Sequence, residues 1–310
     1  MSSPLSTCFI GTHAFAATVL QGIHAWEFLT IQKVITQPDK PVGRKGILTP
    51  PPVKLVAQEL GILVDQPETL KGYPLTLPPE IIIVAQYGRL IPSSMLDAPR
   101  YGVVNTHTSL LPKYRGASPI QAALLHGDTI SGVTIMKMDA GLDTGPIILQ
   151  KDIAIADNDT YATLETRLAT VSIDALKEAI PAYVAGTLLP IPQDETQATH
   201  CYELSRDSGK INWQQSATEI YNQWRAYNPW PGVWTTSEGQ RLKLLDLHPA
   251  SDITVSLQPG EVYVNNKQLY IGTATSPLEI TSLQKEGKAA VTAAAFIAGY
   301  GPRIHQSILD

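Results

Sequence analysis

Short, continuous apolar runs restrict the fold of this chain more than any other feature. Residues 81–85 are five apolar side chains in succession, and residues 103–105 begin another such run. Similar runs occupy 7–10 and 31–36, and an apolar pattern with helical spacing lies between them around 14–20. Strands that are buried on both faces read in this way because neither face is polar. The pattern predicts a parallel α/β sheet covered by helices.

The pattern of predicted secondary structure changes after about residue 205. One helix is predicted first, over 217–227, and short strand-like runs then recur with turn signals between them, over 242–247, 260–264, 268–271 and 278–283. Such spacing favours a small β-barrel. The polar, Pro-containing stretch that precedes these elements is typical of a linker. We therefore expect an α/β domain over 1–187, a linker over 188–205 and a β-barrel domain over 206–310.

The bulk properties exclude several classes of protein. With 44% apolar and 16% charged residues, the 310-residue chain is typical of a globular protein. No apolar run approaches the roughly 18 residues of a membrane span, and the start lacks the basic flank of a signal peptide. Cys8 and Cys201 are too few for a disulfide framework, which favours a cytoplasmic location. Because the net charge is −5, any contact with RNA must depend on local basic patches.

Asn105 and His107 are the first candidates for a functional site. They lie two residues apart at the carboxyl end of a predicted strand, so a period of two places both side chains on one face. Ligands of parallel α/β sheets bind at this edge. An amide there can donate to a developing oxyanion, and an imidazole can transfer protons near neutral pH.

Asp143 is the third candidate. It lies between Gly141 and Gly145, which permit a sharp turn and a close approach of the backbone to a ligand. A carboxylate beside an imidazole orients the ring and favours its charged form. An amide, an imidazole and a carboxylate together suit the attack of an amine on a carbonyl carbon, without a metal or a covalent nucleophile. Taken singly, each residue is more often structural, since an Asp between glycines usually forms a turn.

The combination of these residues resembles a known superfamily. Asn105, a His two residues later, a Ser-Leu-Leu-Pro turn and an Asp in a Gly-Leu-Asp-Thr-Gly loop are the signature of the formyl-tetrahydrofolate-dependent transferases. The resemblance implies a Rossmann-like formyltransferase domain followed by an OB-like barrel. It also implies that Asn105, His107 and Asp143 are catalytic and that 10-formyltetrahydrofolate is the formyl donor. We expect no metal to take part, because the sequence has no His/Cys cluster with ligand spacing.

The same resemblance implies a folate site in three segments. The turn formed by Ser109, Leu110, Leu111 and Pro112 would contact the folate. Apolar residues of the segment that contains Tyr87, Leu90 and Pro92 would help to enclose the pteridine ring. The loop that begins at Asp139 and ends at Asp143 would close the other side.

Three residues depart from the pattern of the superfamily. His13 stands where a Pro is usual, Gln86 where a small residue is usual, and Thr108 where Ala or Gly is common. We expect His13 and Gln86 to line the folate end of the site and to alter its shape. Because none of the three belongs to the catalytic trio, the departures affect the expected affinity and not the expected reaction.

Further segments are similar to the methionyl-tRNA formyltransferase family in particular. Residues 37–52 include five Pro and two Gly, which predicts a long loop, and they resemble the tRNA-contacting loop of that family. Lys40, Arg44 and Lys45 are thereby implied to contact tRNA. The Asn-Pro-Trp-Pro-Gly motif at 228–232 resembles the start of its C-terminal barrel. The implied acceptor is initiator methionyl-tRNA, whose formylation serves translation initiation; we infer neither an obligate protein partner nor a membrane.

The predicted barrel shows no excess of positive charge. Residues 206–310 contain nine Lys or Arg and nine Asp or Glu. A basic face for tRNA would have to come from a subset of its cationic residues, and the sequence does not show whether they cluster; the candidates are Lys210, Arg225, Arg241, Lys243, Lys285 and Lys288.

Three other functions compete with this interpretation. A formyl transferase acting on an amino sugar nucleotide would share the trio and the folate turn, but the Pro-rich basic loop and the barrel motif favour tRNA. A dinucleotide-dependent oxidoreductase would need a GxGxxG turn, which the first strand turn at Gly11 lacks. A catalytically inactive tRNA-binding protein would not need the complete trio.

Overall fold

A computed structural model describes residues 3–43, 45–75, 78–250, 253, 255–304 and 309 of the chain. The chain forms two compact units. Unit 1 comprises Met1–Pro119, Ile130–Ala154 and Glu165–Tyr202, and unit 2 comprises Ile120–Thr129, Ile155–Leu164 and Glu203–Asp310. No helix among the described residues is long and apolar enough to cross a membrane.

The first third of the chain alternates strands and helices, as the apolar runs predict. Its elements are β1 (Leu5–Gly11), α1 (Ala14–His24), β2 (Leu29–Ile35), β3 (Lys40–Val42), β4 (Ile47–Thr49), α2 (Pro52–Glu59), β5 (Leu63–Asp65), β6 (Ile81–Ala85) and α3 (Ser93–Leu96). In α1 the buried residues Phe15, Val19 and Ile23 recur every four positions, which places them on one helical face against the sheet.

The middle of the chain carries both candidate motifs. Its elements are β7 (Val103–His107), β8 (Arg115–Gly116), α4 (Pro119–Leu125), β9 (Ile130–Lys137), β10 (Ile147–Ala154), α5 (Tyr161–Val184) and β11 (His200–Cys201). The short β8 and β11 pair in parallel. The candidates Asn105 and His107 thus lie on a strand, whereas Asp143 lies between two strands.

The main sheet of unit 1 has the strand order β10-β9-β7-β6-β1-β2-β5. The five strands from β5 to β7 are parallel, which confirms the predicted sheet. The sequence did not predict the edge, where β9 runs antiparallel to both β7 and β10. From β1 the chain builds outward to β2 and β5 on one side and later to β6 and β7 on the other. The order therefore reverses between β1 and β6, and ligands bind at such a switch point.

The two faces of β7 have different neighbours. One apolar cluster collects alternate residues of adjacent strands, including Cys8, Ile82 and Val103. Asn105 and His107 continue the face of Val103 because side chains alternate along a strand. Thr106 faces the other way, and its hydroxyl donates to Oγ of Ser172 in α5 at 3.1 Å. The two candidates therefore lie on the face opposite α5.

Unit 2 contains the predicted antiparallel strands. Its elements beyond residue 203 are α6 (Ala217–Tyr227), β12 (Val233–Ser237), β13 (Gln240–Pro249), β14 (Val262–Asn265), β15 (Gln268–Ile271), β16 (Leu278–Lys285), β17 (Val291–Thr292) and α7 (Ala293–Ile304). The strands pair in the order β12-β13-β16-β15-β14, and β17 pairs with β16. Helix α6 has the predicted bounds, and a capping box between Ser216 and Glu219 fixes its start.

Candidate active site

Both ring nitrogens of His107 face a polar partner. Nε2 lies 2.9 Å from the carbonyl oxygen of Tyr114, and Nδ1 lies 3.5 Å from Oδ2 of Asp143. Because a carbonyl oxygen only accepts, Nε2 carries the proton of the neutral ring, and Nδ1 is the nitrogen that can take a second proton. The same Oδ2 accepts the backbone N–H of Gly116 at 2.9 Å. The sequence placed His107 and Asp143 in one site, and the structure brings them together.

Asn105 shares the face of β7 that carries His107. It is half-buried and lies in register with Val84 of β6 and Met136 of β9. Its side-chain amide makes no hydrogen bond within the part of the chain that the structure describes. The amide donors are therefore available to a ligand beside His107.

Asp143 lies in a tightly folded loop. Its φ of 54° is in the left-handed region, which a non-glycine residue adopts only with support from its surroundings. A Cβ at Gly145 would lie 1.9 Å from the carbonyl oxygen of Lys137, so only glycine allows the loop to approach β9 this closely. Asp139 also supports the loop, since its Oδ1 accepts from the backbone of Gly141 and from the Thr144 hydroxyl. The carboxylate predicted to contact folate is thus also a structural group of its own loop.

The Ser109–Pro112 turn is held by two polar side chains of neighbouring strands. The Thr134 hydroxyl donates to the carbonyl oxygen of Ser109 at 2.7 Å and accepts the N–H of Leu111 at 3.0 Å. The Gln150 amide donates to the carbonyl oxygen of Leu111 at 2.8 Å. Ser109 and Leu111 are buried, whereas Leu110 and Pro112 are half-buried and present surface to a ligand.

The predicted folate residues of the segment after β6 differ in how far they are buried. The Tyr87 ring is buried in the apolar cluster, so any folate contact of this residue would come from its main chain. The carbonyl oxygen of Tyr87 accepts hydrogen bonds from Thr12 and Gln37. Leu90 is 86% exposed, and Pro92 is half-buried at the start of α3. Leu90 and Pro92 are therefore accessible to a ligand.

The three departures from the superfamily pattern lie at the carboxyl ends of the central strands. His13 is exposed immediately before α1, and Gln86 follows β6 with a φ of 39°. The amide of Gln86 lies 3.4 Å from Oε1 of Glu165. Thr108 is buried directly after His107. His13 and Gln86 thus occupy the ends of β1 and β6, the two strands of the switch point.

The Pro-rich loop contains a hairpin that the sequence did not predict. Strands β3 and β4 pair in antiparallel fashion within it, and their side chains are exposed. Lys45 is exposed near the turn, whereas Lys40 donates to Oε1 of Gln37 at 2.7 Å. Arg44 lies outside the described residues. Asp39 anchors the base of the loop, where its carboxylate accepts hydrogen bonds from Lys54 and Gln66.

Some basic residues of unit 2 share one face, and one does not. The Arg241 guanidinium lies 3.8 Å from the centre of the Trp234 ring, and Lys243 is the residue of β13 in register with Trp234. These three side chains project from the sheet opposite the buried Leu242 and Leu244. Arg225, by contrast, is 6% exposed and donates to main-chain carbonyls and to Asn222 within unit 2. It is therefore excluded from a basic surface.

Both halves of the chain match models of one protein family. Residues 7–180 match the model described as formyl transferase, and residues 203–301 match the one described as formyl transferase, C-terminal domain. The chain belongs to the formyl transferase family. This confirms the predicted superfamily and the predicted fold class of the first domain.

Relatives resemble this formyl transferase over nearly its whole length. The methionyl-tRNA formyltransferase of Caldicellulosiruptor saccharolyticus is 40% identical over 300 residues, which cover 94% of this chain and 96% of the relative. The methionyl-tRNA formyltransferase of Dehalococcoides mccartyi is 43% identical over 301 residues, covering 95% of this chain and 96% of the relative. Both domains are therefore shared with enzymes of that name.

Two solved structures show the same fold at lower identity. WlaRD, a sugar 3N-formyl transferase studied with dTDP and 5-N-formyl-THF, has a TM-score of 0.66 at 20% identity and covers 93% of this chain and 100% of its own. HypX from Aquifex aeolicus in complex with tetrahydrofolic acid has a TM-score of 0.66 at 16% identity, covering 99% of this chain and 49% of its own.

Several residues of the formyl transferase site were missed by the sequence reasoning. Tyr114 supplies the carbonyl oxygen that fixes the His107 ring, and Gly116 supplies the N–H to Asp143. Both residues follow closely on the Asn-Thr-His and Ser-Leu-Leu-Pro motifs at 105–112, and this closeness in sequence was the only signal for them. Gln193 contacts the Asp143 loop from the predicted linker, where no sequence signal identified it. No group of three His, Cys, Asp or Glu suited to a metal occurs among the described residues.

Proposed function

We propose that this chain transfers the formyl group of 10-formyltetrahydrofolate to the α-amine of methionine on initiator tRNA. The observation that carries the proposal is the contact between His107 Nδ1 and Asp143 Oδ2 on the face of Asn105, in a chain about 40% identical to methionyl-tRNA formyltransferases. The product, formylmethionyl-tRNA, would serve translation initiation. The proposed location is the cytoplasm, where the free thiols Cys8 and Cys201 would stay reduced.

The chemistry follows from the placement of the three side chains. The neutral amine attacks the formyl carbon, and a C–N bond forms to give a tetrahedral intermediate with an oxyanion. The amide of Asn105 donates to that oxyanion, and Nδ1 of His107 accepts the proton that the amine loses. Asp143 orients the ring through its contact with Nδ1. The bond to N10 of the folate then breaks, and the proton that Nδ1 of His107 accepted passes to N10 as it leaves.

The formyl donor is proposed to lie across the carboxyl ends of β6 and β7. The half-buried Leu110 and Pro112 would contact it from one side, and Leu90 and Pro92 would do so from the segment after β6. Asp139 and the rest of its loop would complete the enclosure. The supporting observation is that Leu90 and Pro92 follow β6, and that Leu110 and Pro112 follow β7, the strand that carries the two candidates. The Tyr87 ring, by contrast, is committed to the core.

The acceptor is proposed to contact both units. The exposed hairpin carries Lys45 near its turn, and we propose that Lys40 and Arg44 add further positive charge for the tRNA. In unit 2, Arg241 and Lys243 flank Trp234 and would meet phosphate and stacked bases. We propose that the catalytic domain covers 1–187, the linker 188–205 and the tRNA-binding domain 206–310.

The test is transfer of a labelled formyl group to charged initiator tRNA, with formylmethionine identified after hydrolysis. His107→Ala should lower kcat about 10²- to 10⁴-fold, and Asn105→Ala about 10²- to 10³-fold, while both variants keep the Tm of the native protein. His24→Ala, an exposed His at the end of α1, is the matched control. Formylation of an amino sugar nucleotide in place of the tRNA would overturn the proposed acceptor, and near-native turnover of either site variant would remove that residue from the mechanism.

A further inference from the structure

Arg115 is an almost fully buried cation, and among the described residues its side chain donates hydrogen bonds to a single short segment. It is 2% exposed. Its Nε and Nη2 donate to Oε1 of Gln193 at 3.0 and 2.8 Å, and its Nη1 and Nη2 donate to the carboxylate of Glu195 at 2.8 Å each. Two side chains of the predicted linker thus accept the hydrogen bonds of one buried guanidinium in unit 1.

The contact with Arg115 determines which way the Gln193 amide faces. Because the guanidinium only donates, the oxygen of the amide must turn toward Arg115 and its nitrogen must turn away. That nitrogen donates to the carbonyl oxygens of Asp143 and Gly145, at 2.8 and 2.7 Å. Gln193 therefore connects a buried cation directly to the main chain of the Asp143 loop.

Asp143 requires such support because of its backbone conformation. Its φ of 54° is costly for a residue with a Cβ and persists only where neighbouring contacts fix it. The residue after Arg115 fixes the other end, since the N–H of Gly116 donates to Oδ2 of Asp143 at 2.9 Å. The main chain and the carboxylate of Asp143 are thus both held by groups at or beside Arg115.

The segment that carries Gln193 is itself anchored on both sides. Before it, Ile191 and Ile147 exchange two backbone hydrogen bonds of 2.8 Å. After it, the carbonyl oxygen of Thr199 accepts the N–H of Arg115 at 2.8 Å. These ladder contacts fix the position of Gln193 relative to β10 and β8, so its amide is not free to follow a shifted Asp143 loop.

We propose that Gln193, oriented by Arg115, is a positioning residue that holds Asp143 against His107. The predicted linker is then part of the active-site framework. The inference rests on the proposed role of Asp143 in formyl transfer. Gln193 touches neither substrate in this scheme, and its effect on the reaction passes through the Asp143 main chain.

Two substitutions separate positioning from simple support of Arg115. Gln193→Ala removes both functions of the side chain. Gln193→Glu keeps acceptors for Arg115, but it cannot donate to the carbonyl oxygens of Asp143 and Gly145. Both variants should lower kcat, by up to about 10²-fold for a displacement near 1 Å, with the KM values for folate and tRNA nearly unchanged. Gln197→Ala is the control, because Gln197 is exposed in the same segment and, within the described part of the chain, its amide reaches only Thr196.

A double variant tests whether Gln193 acts through Asp143. Asp143→Asn should be slow alone, and adding Gln193→Glu should slow it little further, because residues that act as a unit are not additive. Wild-type kcat in Gln193→Glu, or losses that multiply in the double variant, would overturn the inference while leaving the role of Asp143 intact. Full activity of Asp143→Asn alone would instead refute the proposed role of Asp143. Measured Tm values distinguish slow enzyme from unfolded enzyme.

Discussion

Substitution of Gly145 by Ala tests how closely the reaction depends on the position of the Asp143 loop. A Cβ at this position would lie 1.9 Å from the carbonyl oxygen of Lys137, whereas ordinary contacts begin at 3.4 Å. The two atoms must therefore separate by 3.4 − 1.9 = 1.5 Å. Lys137 is paired with Val104 of β7, so the loop moves more readily than the strand.

The consequence for the site follows from the distances around Asp143. A loop shift of about 1 Å would stretch its bond with Gly116 beyond hydrogen-bonding range, because that bond is 2.9 Å long. Misplacement of a catalytic group by about 1 Å can lower turnover about 10²-fold. Overpacking of this kind also costs about 1–3 kcal/mol of stability, which leaves most of the protein folded at assay temperature. We expect kcat of Gly145→Ala to fall about 10²-fold.

The neighbouring glycine provides a matched comparison. A Cβ at Gly141 would meet the Thr144 hydroxyl at 2.0 Å. That side chain can rotate away at the cost of its hydrogen bond to Asp139, whereas a main-chain carbonyl cannot rotate away. Gly141→Ala should therefore retain much more activity than Gly145→Ala in the formyl-transfer assay. The reasoning is refuted if Gly145→Ala has native kcat with a lowered Tm, because the loop would then move without displacing Asp143.

Three other perturbations have defined outcomes. Arg44→Ala should lower kcat/KM for charged tRNA more than it weakens folate binding. Arg44→Lys should recover only part of that loss, since a Lys cannot form bidentate contacts. Unchanged tRNA kinetics in Arg44→Ala would exclude the loop from tRNA recognition. Hydrogen bonds from Lys33, and to a lesser extent from Tyr73, lower the pKa of Asp65. Asp65→Asn should therefore lower the free energy of unfolding by about 1 kcal/mol or less at neutral pH. This difference should disappear as the pH falls below the ordinary carboxyl pKa of 3.8, and a difference in Tm that does not change with pH would contradict the prediction. A chelator should leave formyl transfer unchanged, and zinc-dependent recovery after chelation would refute the metal-free mechanism.

Elements with a strong local pattern were predictable from the sequence. The helix over 217–227 has a capping box at its start, and the five-residue buried run at 81–85 is typical of a strand inside a sheet. The hairpin within 37–52 was missed because its Pro and Gly content is typical of irregular loops. In the hairpin, Pro41 pairs with Leu48 on exposed strands, where Pro is tolerated.

The supporting groups of the site were not predictable, for a physical reason. Asn105 and His107 are related by the two-residue period of a strand, so their proximity can be inferred locally. The contact of Gln193 with Asp143 spans 50 residues, and its contact with Arg115 spans 78. No periodicity connects residues at such separations. Arg225 shows the same limitation, because its charge suggested a surface and its contacts with Asn222 and Asp159 bury it.

The two parts of the trio are therefore positioned by different means. Backbone pairing of β7 with β6 and β9 holds Asn105 and His107, so a change in a neighbouring side chain displaces them little. Asp143 has no such pairing, and its position depends on contacts from Gly116 and Gln193. Because a loop opens more readily than a paired strand, the His107–Asp143 contact is the part of the site most sensitive to distant substitutions. Substitutions of Gln193 should accordingly change turnover before they change the stability of the sheet.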